Sequence, residues 1–404
     1  MPSNGSDNNA AIVVGGGPAG LTAAISLAEG GVDTTLIGLR PAKPDNRTTA
    51  LLAGSVAALE TLGVWPSCAD RTARLRTMRI VDDTGRLWRA PEVKFSADEI
   101  GLEAFGYNIE NRHLIEALAK RARNLPALSI VEDEVVAVTP KSDTVTVALR
   151  SGNTLHARLA VGADGRQSLC RIAARIATDE RHYPQTAMTV CLAHSRPHHD
   201  TSTEFHTPSG PFTLVPLPGN RSSLVWVLQP GHADELATLD DIHLATIIEQ
   251  ASHSILGKLE VESGRGMFPL AVSVARRFAA ARIALVGEAA HVLPPIGAQG
   301  LNLGLRDAAT IAELVVAAQR DGHDIGGADV MSRYDRMRRV DVGSRTIAID
   351  LLNRSLLSDL LPVQGARGLG LYMLDRIGPL RRAVMREGVA PAAGQPRLMR
   401  GEAL

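Results

Sequence analysis

The chain has 404 residues, 45% of them hydrophobic, with 43 basic and 43 acidic side chains and a formal net charge of zero. Such a length buries a sizeable core spread over two or three domains, which excludes disorder as the main state. Charge balance excludes a whole-chain field that would draw it to nucleic acid or acidic lipid, so no nucleic-acid partner is expected and recognition must be local. Cys68, Cys170 and Cys191 lie far apart without CxxC spacing, which suits neither a disulfide framework nor a zinc site. No metal is expected, and reduced thiols fit a cytoplasmic location. The leader MPSNGSDNNA lacks the basic and apolar regions of a signal peptide, and no apolar run is long enough to span a membrane.

The first element is Ala11–Val14, a short buried strand, followed by GGGPAG and the small-residue helix LTAAISLAEGG. In this G-x-G-x-x-G turn Gly15 allows the tight bend, Gly17 lets the backbone touch a pyrophosphate, and Gly20 lets helix and strand pack closely, with Pro18 and Ala19 between them. The helix N-terminus then favours an anion. A ribose-binding carboxylate is expected some 20 residues on, at the end of the second strand; Gly38 stands there, followed by Arg40.

Arg47 to Trp65 has apolar residues at 51, 52, 56, 59 and 62, a helical spacing stopped at Gly63. A hairpin is expected in RTMRIVDDTGRLWRAP and a helix from Asn111 to about Asn124. Leu128 to Val161 alternates in three bursts, which predicts a small antiparallel meander. The meander delivers the chain to Gly162-Ala163-Asp164-Gly165-Arg166, an acid-glycine turn at a strand end. Residues 183–275 are rich in β-strand signals, with one helix expected from Asp241 to Ser254. Then ARIALVGEAAH returns to a buried parallel strand, so the nucleotide domain is interrupted and resumed.

After the strand 282–286 comes Gly287-Glu288, where an acid faces a ligand at the carboxyl edge of the sheet. Pro294 and Pro295 stiffen the corner, Gly297 and Gly300 admit a flat ligand, and the helix from Leu301 to Gln319 starts at once, with Gln299 and Asn302 beside its first N–H groups. Such an N-terminus stabilises charge that develops on a reduced flavin. His291 is expected to be a hydrogen-bonded structural histidine. The last segment, residues 331–404, holds 13 Arg against 7 acidic residues, and 351–362 and 369–388 read as amphipathic helices. They are expected to cover the fold, with a peripheral membrane or biosynthetic-complex contact, at the inner face of the membrane, as a second role.

GGGPAG, GADG and GEAAHVLPPIGAQGLNLGLRDA together resemble the three fingerprints of single-component FAD-dependent aromatic hydroxylases. PPIGAQGLNLGLRDA, YPQTAMTV and GPFTLVPLP resemble the ubiquinone-biosynthesis branch, the UbiH/UbiF/UbiL type. The resemblance spans roughly residues 10–390. It implies an α/β fold: a Rossmann-like FAD-binding domain (1–75, 101–182 and 275–340) with an inserted antiparallel meander, interrupted by a mostly antiparallel β substrate domain (76–100 and 183–274) and followed by a C-terminal helical segment (341–404).

It also implies FAD as cofactor, NAD(P)H as transient reductant, O2 as co-substrate and a phenolic small molecule as substrate. Gly15, Gly17 and Gly20 would hold the FAD pyrophosphate, Arg112 would reach the pyrophosphate or ribityl chain, and Arg47 would lie near the flavin or the pyrophosphate. Val135 would meet the adenine through its backbone, Asp164 and Gly165 would belong to the motif shared by FAD and NAD(P)H, and Gly297 to Asn302, including Leu301, would line the isoalloxazine. Two departures, Glu288 for the usual Asp and Gly38 for the ribose carboxylate, predict weakened FAD binding. Phe212, Leu214, Leu217 and Trp226, with no charge beside them, are the candidate substrate pocket and suit a polyprenyl phenol. Hydroxylation of another soluble phenol and a catalytically silent scaffold are the alternatives the residues leave open.

Overall fold

The computed structural model describes residues 8–38, 47–85, 91–262, 265–295, 297–357, 368–370, 372–374, 376–389 and 394–404. Arg40 and much of the 351–362 segment lie outside them. The chain opens on β1 (Asn8–Val14), turns through Gly15–Gly17 into α1 (Pro18–Glu29) and returns as β2 (Thr34–Ile37), buried along its whole length. Proline at the first turn of α1 presets φ where its missing N–H costs nothing.

The single helix expected over 47–65 is a strand followed by a helix, β3 (Thr48–Leu52) and α2 (Ala53–Thr61). Thr48 and Thr49 are β-branched and stiff at χ1, and the stretch finds an antiparallel partner in residues 106–110. Next come β4 (Thr72–Arg74), β5 (Thr77–Asp82), β6 (Val93–Ser96), β7 (Gly106–Glu110) and α3 (Asn111–Arg123). The expected three-burst meander holds four strands, β8 (Leu128–Val131), β9 (Val135–Pro140), β10 (Val145–Leu149) and β11 (Thr154–Gly162). The Asp133 carboxylate accepts from the Glu134 N–H at 2.7 Å and breaks the first burst. So β8 runs parallel beside β2, and only β9, β10 and β11 form the meander.

After α4 (Leu169–Ala173) the chain builds β12 (Thr178–His194), β13 (Thr201–Thr207), β14 (Gly210–Leu217) and β15 (Arg221–Leu228). Helix α5 (Pro230–Thr238), not expected from the sequence, precedes α6 (Asp241–Ala251). Strands β16 (Leu259–Val261), β17 (Gly266–Ala275), β18 (Ala279–Ala280), β19 (Ile283–Leu285) and β20 (His291–Val292) lead to α7 (Gln299–Arg320), α8 (Ala328–Leu357) and α9 (Gly378–Val389).

Two large sheets result. In the first, ordered β18-β19-β11-β1-β2-β8, the strands from β19 to β8 are parallel, and β10 and β9 attach to β11. The ends of the parallel strands therefore share one edge. Gly15 N donates to Ile37 O, Ala163 N to Val14 O and Val286 N to Gly162 O, each at 2.8 Å, so three stretches more than 100 residues apart meet there. The second sheet, ordered β20-β17-β12-β15-β14-β13-β5-β6, is antiparallel except where β13 meets β5. Strand β12 crosses from one region to the other with a register shift between His182 and Thr186.

The two faces of the second sheet differ. Met188, Phe212, Leu214, Leu224 and Trp226 pack with Leu236, Leu244 and Ile248 of α5 and α6. The opposite face turns to a small third sheet, ordered β3-β7-β4: Ser223 Oγ accepts from Thr48 Oγ1 (2.8 Å) and Asn108 Nδ2 (3.2 Å), and the Arg47 guanidinium lies 5.8 Å from the Phe268 ring centre.

Candidate active site

The glycine turn after β1 has two kinds of glycine. At Gly15 (φ +119°) a Cβ would come within 2.2 Å of Ala163 O, and at Gly20 within 1.9 Å of Gly15 O, so both are fixed by packing. At Gly17 a Cβ would meet nothing within 4 Å. The backbone there is bare toward open space, as a pyrophosphate cradle requires. Helix α1 starts at Gly17 with no side-chain cap and no acid in its first turn, and α7 starts at Ala298 in the same way. Helices α4 and α6 are capped by Ser168 and Asp240, whereas α2, α3 and α5 are uncapped too, so what sets α1 and α7 apart is that their heads are built on open glycines, Gly17 for α1 and Gly297 and Gly300 for α7. Uncapped N–H groups at both helix heads leave donors for an anionic ligand. The residues present thus fit a dinucleotide.

Gly38 has a packing reason. Its N donates to Val131 O at 3.1 Å, and a Cβ would fall 2.5 Å from Gly16 N, so this backbone has no room for a ribose-binding carboxylate at that position. Val135 begins β9 four residues beyond Val131, with its side chain in the main core.

The acid-glycine turn and the late turn are joined by Arg166 and by Arg171, which no motif in the sequence marks. Asp164 turns its carboxylate inward, accepting from Ser168 Oγ at 2.6 Å and from Cys170 N at 3.1 Å, and so organises the loop; Gly165 sits at φ +75°. Arg171 donates to Ala289 O (2.9 Å) and Arg166 O (2.7 Å). Glu288, half-exposed, is reached by Arg166 Nε at 3.2 Å. The extra methylene of Glu over Asp extends toward that guanidinium. Arg112 is half-exposed and pairs with Glu110, which also takes Arg221 Nη1 at 3.0 Å. Arg47 is exposed, and its carbonyl accepts from Asn111 N.

At the late corner Pro295, Gly297 and Gly300 form an exposed arc, with Gly297 at φ +64° and open space over Gly300. Leu301 is partly buried behind them. Asn302, expected to line a flavin, is buried and fully engaged: Oδ1 accepts from Leu52 N (2.9 Å) and Ser55 Oγ (2.6 Å), and Nδ2 donates to Ala50 O (2.8 Å) and Ala298 O (2.6 Å). Its side chain staples α7 to β3 and α2 rather than facing a ligand. Gln299 donates to Gly297 O at 3.1 Å and accepts from Arg345 Nη1 at 3.2 Å.

His291 is structural, as expected. With no side-chain exposure, its Nε2 donates to Asp307 Oδ2 at 2.7 Å. The same Oδ2 accepts from Gly287 N (2.9 Å), and Oδ1 accepts from Arg338 Nε (2.6 Å). Burial pushes the Asp307 carboxyl up, but Arg338 and His291 outweigh it and hold it below the ordinary value.

The expected substrate pocket needs correction. Phe212, Leu214 and Trp226 are at most 6% exposed and belong to the core beneath α5 and α6, with the Phe212 and Trp226 rings edge-to-face at 5.0 Å. They point away from β3 and β7 because alternate residues of a strand take opposite faces. Leu217 lies on the other parity, at the rim of a groove of about 540 Å³ shared with Trp65 and Tyr107. That groove holds none of the residues expected to meet the cofactor. The opposite face of the second sheet, which meets β3 and β7, carries Ala187, Val225, Val227 and Phe268 by register, with Leu270 packed beside Ala187 and Val227, these three at most 4% exposed.

A parallel sheet whose edge gathers a bare glycine turn and two uncapped helix heads has the architecture of a dinucleotide-binding protein. The family described as FAD binding domain matches residues 8–344. The ubiquinone hydroxylase UbiL of Rhodospirillum rubrum is 36% identical over 412 residues, covering 99% of this chain and 95% of its own. The 3-demethoxyubiquinol 3-hydroxylase of Escherichia coli is 31% identical, covering 93% and 96%. Among solved structures, p-nitrophenol 4-monooxygenase PnpA from Pseudomonas putida shares the fold, with a TM-score of 0.78, 19% identity and coverage of 94% and 97%. The chain belongs to the FAD-dependent aromatic hydroxylases, in their ubiquinone-hydroxylase branch. It is a monooxygenase with FAD as cofactor.

Proposed function

We propose that this enzyme hydroxylates the ring of a polyprenylated phenol on the way to ubiquinone. The observation that carries the substrate class is the 36% identity, over 99% of this chain, with the ubiquinone hydroxylase UbiL; the cluster of Ala187, Val227 and Leu270 on the inner face of the second sheet is apolar, which suits a greasy ring substrate. The α1 head with Gly17 would hold the FAD pyrophosphate, Arg112 and Arg47 would flank it, and Val135 would offer backbone to the adenine. The arc of Pro295, Gly297 and Gly300 would face the isoalloxazine. Bound there, FAD would supply the redox chemistry of a monooxygenase, in which NAD(P)H and O2 are consumed, one oxygen atom enters the ring and the other ends as water. The chain's own part is to hold the ring against that arc and to keep water out with the apolar face.

The test is turnover by the FAD-loaded enzyme with a prenylated phenol and with its unprenylated parent, read as hydroxylated product. The prenylated compound should be favoured by about 10-fold or more in kcat/KM, the order expected from burying several extra methylenes. Faster product formation from the soluble phenol would overturn the substrate class.

A lipid-soluble substrate also needs a route in. No helix among the described residues is long and apolar enough to cross a membrane. Yet Val340, Ile347 and Leu351 of α8 are 63–70% exposed, and Tyr372, Ile377 and Val384 are exposed near Arg376, Arg382 and Arg386. Apolar side chains beside arginines support a peripheral contact with an anionic bilayer. Vesicles rich in phosphatidylglycerol should carry the protein upward in a flotation gradient, and Ile347→Asp with Leu351→Asp should leave it at the bottom. Equal flotation of both would remove the proposal.

A further inference from the structure

The ion pairs behind α7 do not balance. Among the described residues, the acids that Arg306, Arg338 and Arg345 pair with are Asp307 and Asp341 alone, with side-chain exposures of 12%, 2% and 13% for the three arginines. Arg338 Nη1 donates to Asp341 Oδ2 (2.7 Å), Arg306 Nη1 to Asp341 Oδ1 (3.0 Å) and Arg345 Nε to Asp341 Oδ1 (3.1 Å). Nearby Asp335 is answered by Arg339 at 3.0 Å. Arg306 Nε and Arg338 Nη2 are buried and find no hydrogen-bond partner among the described residues. One positive charge is therefore left over in a water-poor place, which is costly unless an anion arrives. The cluster ends on the cradle: Arg345 Nη1 holds Gln299 Oε1, and Gln299 is the first residue of α7.

We propose that this cluster, through Arg345, is the counter-charge for the reduced, anionic form of the bound flavin, so that Arg345 positions Gln299 and sets how readily FAD is reduced. The inference rests on the reading that the α7 head faces the flavin. In a medium of effective dielectric about 20, loss of one such charge bearing on the flavin changes an equilibrium on the order of tenfold. That is the expected excess of weakening of reduced over oxidised FAD when the charge is removed.

The experiment uses the FAD-loaded enzyme, with the midpoint potential read by dye equilibration, the oxidised-FAD Kd by fluorescence quenching and folding by thermal melting. Arg345→Gln should shift the potential to more negative values with the oxidised-FAD Kd changed less than about threefold, and Arg345→Lys should restore most of the shift. Asp341→Asn, which adds to the surplus, should move the potential the other way. An unchanged potential in Arg345→Gln, an equal shift in Arg345→Lys, or a negative shift in Asp341→Asn overturns the proposal. Gly300→Val separates the underlying reading: if it leaves FAD affinity untouched, the placement of α7 against the flavin falls and the inference with it. If it impairs FAD while Arg345→Gln leaves the potential in place, the inference alone falls.

Discussion

Gly17→Val should fold like the parent and fail to hold FAD. Gly17 has φ −76° and ψ 174°, an extended conformation that valine adopts freely, and a Cβ there touches nothing within 4 Å. The new side chain would occupy the space from which the α1 N–H groups address a pyrophosphate. Without FAD, melting of the variant should match the parent to within about 0.5 kcal/mol. With FAD at about 100 times the parental Kd, the parent gains about 2.7 kcal/mol by mass action and the variant gains nothing. The FAD Kd should rise more than about 100-fold, since the ligand must either leave or move the loop. Gly15→Ala and Gly20→Ala are the contrast, because their Cβ atoms would strike backbone at 2.2 and 1.9 Å and lower the melting temperature with no ligand present. A Gly17→Val protein that quenches FAD fluorescence with parental affinity would show that the cradle lies elsewhere.

The cradle was legible because its demands are local. A strand, three glycines at fixed offsets and a helix are written in ten consecutive residues, and the edge of a parallel sheet is where such a turn must lie. The late corner was legible for the same reason, through Gly297 and Gly300. What was not legible depended on partners far along the chain. Residues 48–52 carry apolar positions that fit a helix as well as a strand, and only pairing with Gly106–Glu110 decides between them. Strand β14 is buried on both faces, so no apolar-polar alternation told which side of Phe212 or Leu214 meets β3 and β7. That needed α5 and α6, which cover one face. Asn302 looked like a ligand contact because it stands beside a helix head; its four partners come from residues 50, 52, 55 and 298. Arg338 and Arg345 gave no signal at all, since an arginine on a long helix reads as a solvated face until α7 is packed against it.

The second large effect is expected at Asp307. Its two oxygens take three donors: the N–H that fixes the Gly287-Glu288 turn, the His291 ring and Arg338. Asparagine has the same shape but presents one acceptor oxygen and an NH2 group, so at least one of those donors meets a donor. Arg338, 2% exposed, loses its main counter-charge. Breaking a buried pair by removing one partner costs about 3–5 kcal/mol, and Asp307→Asn should melt well below the parent with or without FAD. Arg338→Gln should cost a similar amount, and the double variant should cost less than the two together, because each single change strands the same partner. Acid supplies an independent check. Burial raises the Asp341 carboxyl, but Arg338 and Arg306 outweigh it and hold it down at about 2, below its ordinary 3.8. A carboxyl depressed by folding gives stability that is complete above the unfolded value and is lost as pH falls through the folded one. The parent should therefore lose stability between about pH 4 and pH 2, whereas Asp307→Asn should already be weakened at pH 7. A variant melting within 1 °C of the parent at neutral pH, where ~3 kcal/mol should be missing, would mean that the pair contributes no net stability and that the fixed late turn is held by something other than α7.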